Sequence, residues 1–140
     1  MKIYLCLTEP EERTHKWVSN IAVFNGFVED SEATSIVCDG FLSSFVYNEL
    51  GDVLKKIVSK MRLGGELIII NPDIKMLSQR IRNEEIDTPT LNSILFNHGP
   101  LKGLSSAEEL CELIPENLQV THKHFDAITS NVTIKTKRIR

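Results

Sequence analysis

Polar and apolar residues alternate from Lys2 onward, with Ile3, Leu5 and Leu7 on one side, until Thr8-Glu9-Pro10 stops the pattern. A first strand is therefore predicted over Lys2 to Leu7. Trp17, Val18, Ile21, Ala22 and Val23 fit a short helix and a strand equally, and the segment Thr14 to Phe24 is expected to end at the turn dipeptide Asn25-Gly26. The β-branched and apolar run Thr34-Ser35-Ile36-Val37-Cys38 closes at Asp39-Gly40 and predicts a short buried strand. From Phe45 to Met61, Val46, Leu50, Val53, Leu54, Ile57, Val58 and Met61 recur at helical spacing. They predict an amphipathic helix with Glu49, Asp52, Lys55, Lys56 and Lys60 outside its apolar stripe. Gly64-Gly65 is expected to end that helix in a left-handed cap. Beyond it, Glu66-Leu67-Ile68-Ile69-Ile70-Asn71-Pro72-Asp73 has the continuous apolar character of a central parallel strand covered on both faces. Strand, helix and strand make a right-handed βαβ unit, so segments 34–38 and 66–71 are predicted to be parallel neighbours.

Helical spacing resumes at Ile74, Leu77 and Ile81 and stops at Arg82-Asn83-Glu84-Glu85, and Thr90 to Phe96 predicts a further short helix. Gly99, Pro100 and Gly103 mark a loop. Ser105-Ser106-Ala107-Glu108 has the form of a capping box, with a serine oxygen accepting from the third helical amide while the glutamate reaches back; a helix should run from Ala107 to Ile114, closed by Pro115. Leu118 to Phe125 and Val132 to Ile139 alternate in strand fashion and are joined through Thr129-Ser130-Asn131, which predicts an antiparallel pair at the end of the sheet.

A length of 140 residues accommodates one domain with one core, so residues 1–140 are read as a single unit. Hydrophobic residues at 41% and charged residues at 25% place the chain with globular proteins, away from disordered ones. The net charge of -3 supplies no general pull toward nucleic acid or anionic membrane. No apolar run approaches the ~20 residues of a membrane span, and Met1 to Leu7 is too short for a signal peptide; a cytoplasmic protein is expected. Cys6, Cys38 and Cys111 form no CxxC pair, and their odd number favours reduced thiols.

With these elements in order, Met61-Arg62-Leu63-Gly64-Gly65-Glu66-Leu67-Ile68-Ile69 before a strand ending Asn71-Pro72-Asp73 resembles the second half of a class I S-adenosylmethionine-dependent methyltransferase. The match continues through Leu91 to Phe96, the loop from Gly99 to Gly103, the serine-capped helix and the last two strands. It spans residues 27–140, and reaches Met1 if the first strand is the family's cofactor-binding strand. The resemblance implies an α/β, Rossmann-like domain with a mostly parallel sheet, a C-terminal antiparallel pair and helices on both faces. It also makes 34–38 the family's fourth strand and 66–71 its fifth.

The family's cofactor, S-adenosylmethionine, requires glycines after the first strand, where the backbone turns sharply and approaches the ligand. Here that place reads Leu5-Cys6-Leu7-Thr8-Glu9-Pro10, without glycine. Side chains at Leu7 and Thr8 fill space, Pro10 lacks an amide donor, and Glu9 sets a negative charge near the cofactor's carboxylate. The cofactor is therefore expected not to bind. If it does, the resemblance points to Cys6 and Thr8, and to Asn20 in place of the carboxylate that holds the ribose. It points also to Asp30 at the adenine edge, and to Cys38 and Asp39 at the end of the fourth strand, where the family's substrate or catalytic groups usually sit. Each has a plainer reading: Asp30 and Asp39-Gly40 as turn residues, and Cys38 as inert packing. No catalytic residue is assigned.

His122 and His124 share a strand face, a spacing suited to two metal ligands, but no third ligand accompanies them and no metal is expected. Lys135, Lys137, Arg138 and Arg140 read as an edge strand guarded by charge. Three functions stay open. The first is a degenerate methyltransferase fold acting as a binding, regulatory or structural module through a protein partner or self-association. The second is an active minimal methyltransferase on a small-molecule or sugar-like acceptor. The third is a structural or interaction protein, for instance of viral origin, since short methyltransferase-like chains are common in tailed-phage genomes; it should expose an apolar patch at Phe41, Leu42, Phe45 and Tyr47.

Overall fold

A computed structural model describes residues 1–11, 14–96 and 101–140. Among these residues six strands, β1 (Lys2–Leu5), β2 (Lys16–Val18), β3 (Ala33–Asp39), β4 (Met61–Pro72), β5 (Leu118–Phe125) and β6 (Asn131–Arg138), make one sheet in the order β2-β1-β3-β4-β6-β5. β1 is parallel to β2 and β3, β3 is parallel to β4, and β6 is antiparallel to both β4 and β5. The helices among the described residues are α1 (Ile21–Phe27), α2 (Tyr47–Ser59), α3 (Ile74–Arg82), α4 (Thr88–Phe96) and α5 (Ala107–Leu113). This is the mostly parallel sheet with an antiparallel end that the sequence predicts, and its two central strands are the expected neighbours, with Ser35 opposite Glu66 and Asp39 opposite Ile70. Chain order reverses beside β1: the chain leaves β1 for β2, then crosses back to β3 on the other side. In open α/β sheets a ligand crevice lies beyond the carboxyl ends of the strands at such a point.

Alternation decides what each strand buries. Leu5, Ile36, Cys38, Leu67, Ile69 and Ile134 point to one face and are fully buried, in a single core with Phe24 of α1, Leu54 and Ile57 of α2 and Leu110 of α5. The opposite face carries Lys2, Trp17, Glu66, Lys135 and Lys137, all exposed, and Ile68 and Ile70, half-buried. The helices thus cover the two faces unevenly. The run Leu67 to Ile70, expected to be covered on both sides, is fully buried only at alternate residues.

Several boundaries differ from the periodic reading because tertiary contacts set them. Segment 14–24 resolves into both alternatives, β2 and then α1, and Asn25-Gly26 lies inside α1 instead of ending it. α2 ends at Ser59, not at Gly64-Gly65. Its last carbonyls are met from elsewhere in the fold: Ser59 O accepts from Ser31 N at 3.1 Å, Lys60 O accepts from Ala33 N at 2.8 Å, and the Arg138 guanidinium donates to Val58 O and Met61 O. With those partners supplied, no glycine cap is required. Gly64 and Gly65 serve a bulge in β4 instead. The register slips between the Ala33–Met61 and Ser35–Glu66 pairs, Gly64 takes a left-handed φ of 80°, and Gly65 lies against carbonyl oxygens of β3.

The capping box at α5 is one residue later than expected. Ser106 accepts from Glu109 N at 3.2 Å, and Glu109 accepts from Ser106 N at 3.0 Å, while Ser105 pairs with Asp73. Replacing Ser106 by alanine is expected to lower unfolding stability by about 1 kcal/mol, measured by urea denaturation, whereas Ser105→Ala leaves the capping box intact. The basic strand is not the edge. β6 lies between β4 and β5, and it is β5, exposed on both faces beyond Leu118, that closes the sheet. Gly99 and Pro100 of the expected loop lie outside the described residues.

Candidate functional site

The carboxyl ends of β1, β3 and β4 meet at a cavity of about 250 Å³. Its floor starts at Asp39, the last residue of β3, whose carboxylate accepts a hydrogen bond from the Tyr4 hydroxyl on β1. Gly40 follows with a left-handed φ of 64° and donates to Ile70 O at 2.7 Å, which turns the chain sharply into a 3₁₀ turn over Phe41–Ser44. Phe41 and Leu42 drop into the core from that turn, and the Phe41 and Phe45 rings meet edge to face at 5.3 Å. Ser43, which lines the cavity, is 3% exposed, and its buried hydroxyl has no hydrogen-bond partner among the described residues.

The far wall is built from later segments. α4 contributes Thr90, Ser93, Ile94 and Leu95, none of them fully buried, and is started by Asp87, which accepts from Thr90 N at 2.8 Å. The bonds from Thr90 hold the Asp87 carboxyl below the usual carboxylate range. The β5–β6 connection contributes Ile128 and Thr129, and β6 its first residue, Asn131. It is shaped by Asp126, which accepts from Ile128 N at 2.8 Å and Thr129 N at 3.3 Å; the first of these bonds is the main reason its carboxyl also lies below the usual range. Arg80 of α3 clamps the same connection by donating to Ile128 O and to the Ser130 hydroxyl. Leu7, Ile70, Pro72 and Leu101 supply the apolar lining, and Asp39 is the single charged side chain among the described lining residues.

The residues expected to hold the cofactor are only partly gathered here. Cys6 is buried past the end of β1, its Sγ 3.8 Å from the Thr8 hydroxyl, and its carbonyl accepts from the Trp17 indole N–H at 2.8 Å. Thr8 is exposed, and among the described residues no helix intervenes between β1 and β2. Asn20 follows β2 as expected, but its side-chain oxygen caps α1, accepting from Ala22 N at 2.7 Å and Val23 N at 3.4 Å. Asp30 is not part of the group: it precedes β3, at the opposite end of the strand from Asp39, and pairs with Lys60 at 2.9 Å. Cys38 is fully buried opposite Leu5, and burial, followed by the charge of Asp39, pushes its thiol well above the ordinary range, which agrees with inert packing. Of the six residues, Asp39 alone lines the cavity.

His122 and His124 are exposed on β5, opposite Lys135 and Thr133. Phe41 and Leu42 are buried and Phe45 packs on the core, so these residues do not form the exposed patch expected of an interaction protein; Tyr47 is exposed beside them. Ser43, Thr90, Ser93 and Asn131 were not legible as site residues. The segments that bring them together are separated by up to ninety positions, and each looks like ordinary turn or helix sequence by itself.

The fold is that of class I S-adenosylmethionine-dependent methyltransferases, as the solved structures it superposes on indicate. 1,6-Didemethyltoxoflavin-N1-methyltransferase of Burkholderia thailandensis, with 1,6-didemethyltoxoflavin and S-adenosylhomocysteine bound, matches 99% of this chain and 61% of its own at TM-score 0.61 and 12% identity. The N-methyltransferase NodS of Bradyrhizobium japonicum WM9, with S-adenosylhomocysteine, matches 92% of this chain and 57% of its own at TM-score 0.56 and 12% identity. A Methanosarcina mazei S-adenosylmethionine-dependent methyltransferase matches 95% and 71% at TM-score 0.58 and 14% identity. No family model and no curated protein matches the sequence. The chain spans roughly half to two thirds of the solved structures it resembles, from 44% to 71% of their lengths. No helix among the described residues is long and apolar enough to cross a membrane.

Proposed function

We propose that this chain uses a methyltransferase fold as a cytoplasmic binding or regulatory module and has lost S-adenosylmethionine binding at the usual place. The observation that carries the reading is the connection from β1 to β2. Where a cofactor site needs a glycine turn opening into a helix whose amide groups face the ligand, this chain has Cys6 to Pro10 without glycine, and the Cys6 carbonyl is held by Trp17. The Asn20 side-chain oxygen is likewise engaged, by the amides of α1. On this reading the chain acts through what it binds, a protein partner or a second copy of itself included, and not through methyl transfer.

The test is titration calorimetry of the purified chain with S-adenosylmethionine and S-adenosylhomocysteine, with a thermal-shift scan at saturating ligand. No heat and no shift up to millimolar ligand are expected. Micromolar binding, which raises the melting temperature by linkage, would overturn the reading. It would favour an active minimal methyltransferase on a small-molecule acceptor, a reading that the cavity beside Asp39 supports.

A further inference from the structure

We infer that the cavity between Asp39, Ser43 and α4 is a binding site for a small organic amine carrying a compact apolar arm. The inference rests on the reading of the fold as a binding module and names the ligand class of its cavity.

Size, charge and an unmet polar group all point to that class. The cavity, at about 250 Å³, lies just below the roughly 300–1,000 Å³ of pockets that enclose drug-sized ligands, so it suits a fragment-sized molecule. Asp39 is the single charged side chain among the described lining residues, and no lysine or arginine there would balance a phosphate or carboxylate. An anion would meet an unscreened like charge, while an ammonium group would gain a charge-assisted hydrogen bond. Tyr4 does not exhaust Asp39, because it takes one position on Oδ2 and a carboxylate accepts at about four. The buried Ser43 hydroxyl lacks a partner among the described residues, a state that native structures seldom leave uncompensated. An amine bonded to Asp39 would sit against the wall that Ser43 lines, and a turn of the Ser43 hydroxyl toward it would supply that group's missing partner.

The rest of the lining selects the arm. Leu7, Ile70, Ile94 and Leu101 offer apolar contact. No residue of α4 is fully buried, so the helix has side-chain surface left to close on a ligand. Binding therefore adds contacts that the free chain lacks and should register as stabilisation.

The test uses the full chain with 2-phenylethylamine, n-butylamine and 3-phenylpropanoate, the last being the near-isosteric acid of the first, read by thermal shift and calorimetry. The amines are expected to raise the melting temperature at millimolar concentration, 2-phenylethylamine more than n-butylamine, and the acid to leave it unchanged. Asp39→Asn, which keeps an acceptor for Tyr4, should weaken 2-phenylethylamine by about tenfold or more. Ile94→Trp, which fills the cavity from a half-buried helix position, should abolish its binding without touching the core. No shift with either amine, equal binding of amine and acid, or binding indifferent to both substitutions would overturn the inference. S-adenosylmethionine run beside these probes separates the two readings. Amine binding together with cofactor binding upholds this site and overturns the loss of the cofactor. The absence of both kinds of binding overturns only this site.

Discussion

Asp73→Ala is expected to lower unfolding stability by about 3 kcal/mol. Asp73 is 4% exposed at the carboxyl end of β4, and its two carboxylate oxygens serve two helices. Oδ2 accepts from Met76 N at 3.2 Å in the first turn of α3, and Oδ1 accepts from Ala107 N at 3.0 Å at the start of α5. Each bond is a charge-assisted helix cap placed where the helix dipole favours a negative group. Alanine would remove both and leave two amide groups without partners, one of them at a buried position. Each cap is worth about 1 kcal/mol, and an unmet buried donor costs a further 1–3 kcal/mol or so. The same residue's backbone donates to Ser130 O at 3.0 Å, tying β4 to the connection that walls the cavity. Urea denaturation should show a lower midpoint with an unchanged slope. Asp73→Asn, which keeps one strong acceptor, should lose about half as much, and a loss under about 1 kcal/mol for alanine would refute the double cap.

Gly65→Ala is expected to cost about 2–3 kcal/mol, and Gly64→Ala only about 1 kcal/mol, although the two glycines are adjacent. A Cβ on Gly65 would lie 2.9 Å from Arg62 O, 3.1 Å from Ala33 O and 3.3 Å from Thr34 O. All three are backbone atoms, so relief requires the β3–β4 ladder itself to move. At Gly64 a Cβ would meet nothing within 4 Å, and the cost is only that of an L-residue held at φ 80°. The measurement is the order of the two losses in thermal or urea unfolding. Equal losses would mean that the bulge gives way, and that close backbone approach is not what Gly65 provides.

Much of the architecture was legible because its signals are local. The stripe Leu50, Val53, Leu54, Ile57 and Val58 marks α2, the run after Gly65 marks β4, and the alternation on both sides of Thr129-Ser130-Asn131 marks the last two strands. Each depends on a period of 3.6 or 2 residues that neighbouring positions carry by themselves. The segment 14–24 carries both signals: Trp17 and Val18, an aromatic and a β-branched residue after Lys16, make β2, and the apolar residues after Asn20 make α1 once that side chain caps them. The end of α2 was misplaced because its closing partners, Ser31, Ala33 and Arg138, are far away in the chain. Asn71-Pro72-Asp73 could be read as a strand stop, but not as the shared cap of two helices, because Ala107 is 34 positions further on.

The candidate site divides along the same line. Asp39-Gly40 was visible as the end of a strand, and so was the lack of glycine after β1, since both are properties of a few consecutive residues. By itself the sequence determined the order and type of the elements outside 14–24, and with them a methyltransferase-like sheet whose first turn departs from the usual cofactor loop. Tertiary structure alone decided that Asp30 is drawn into a pair with Lys60, that one sheet face stays largely open, and that Asp39 and Ser43 line one cavity together with α4 and the β5–β6 connection. The physical reason is range. Secondary structure follows from periodicity and capping within a few turns of chain, whereas a cavity and its unmet hydrogen-bonding groups exist only after distant segments have packed.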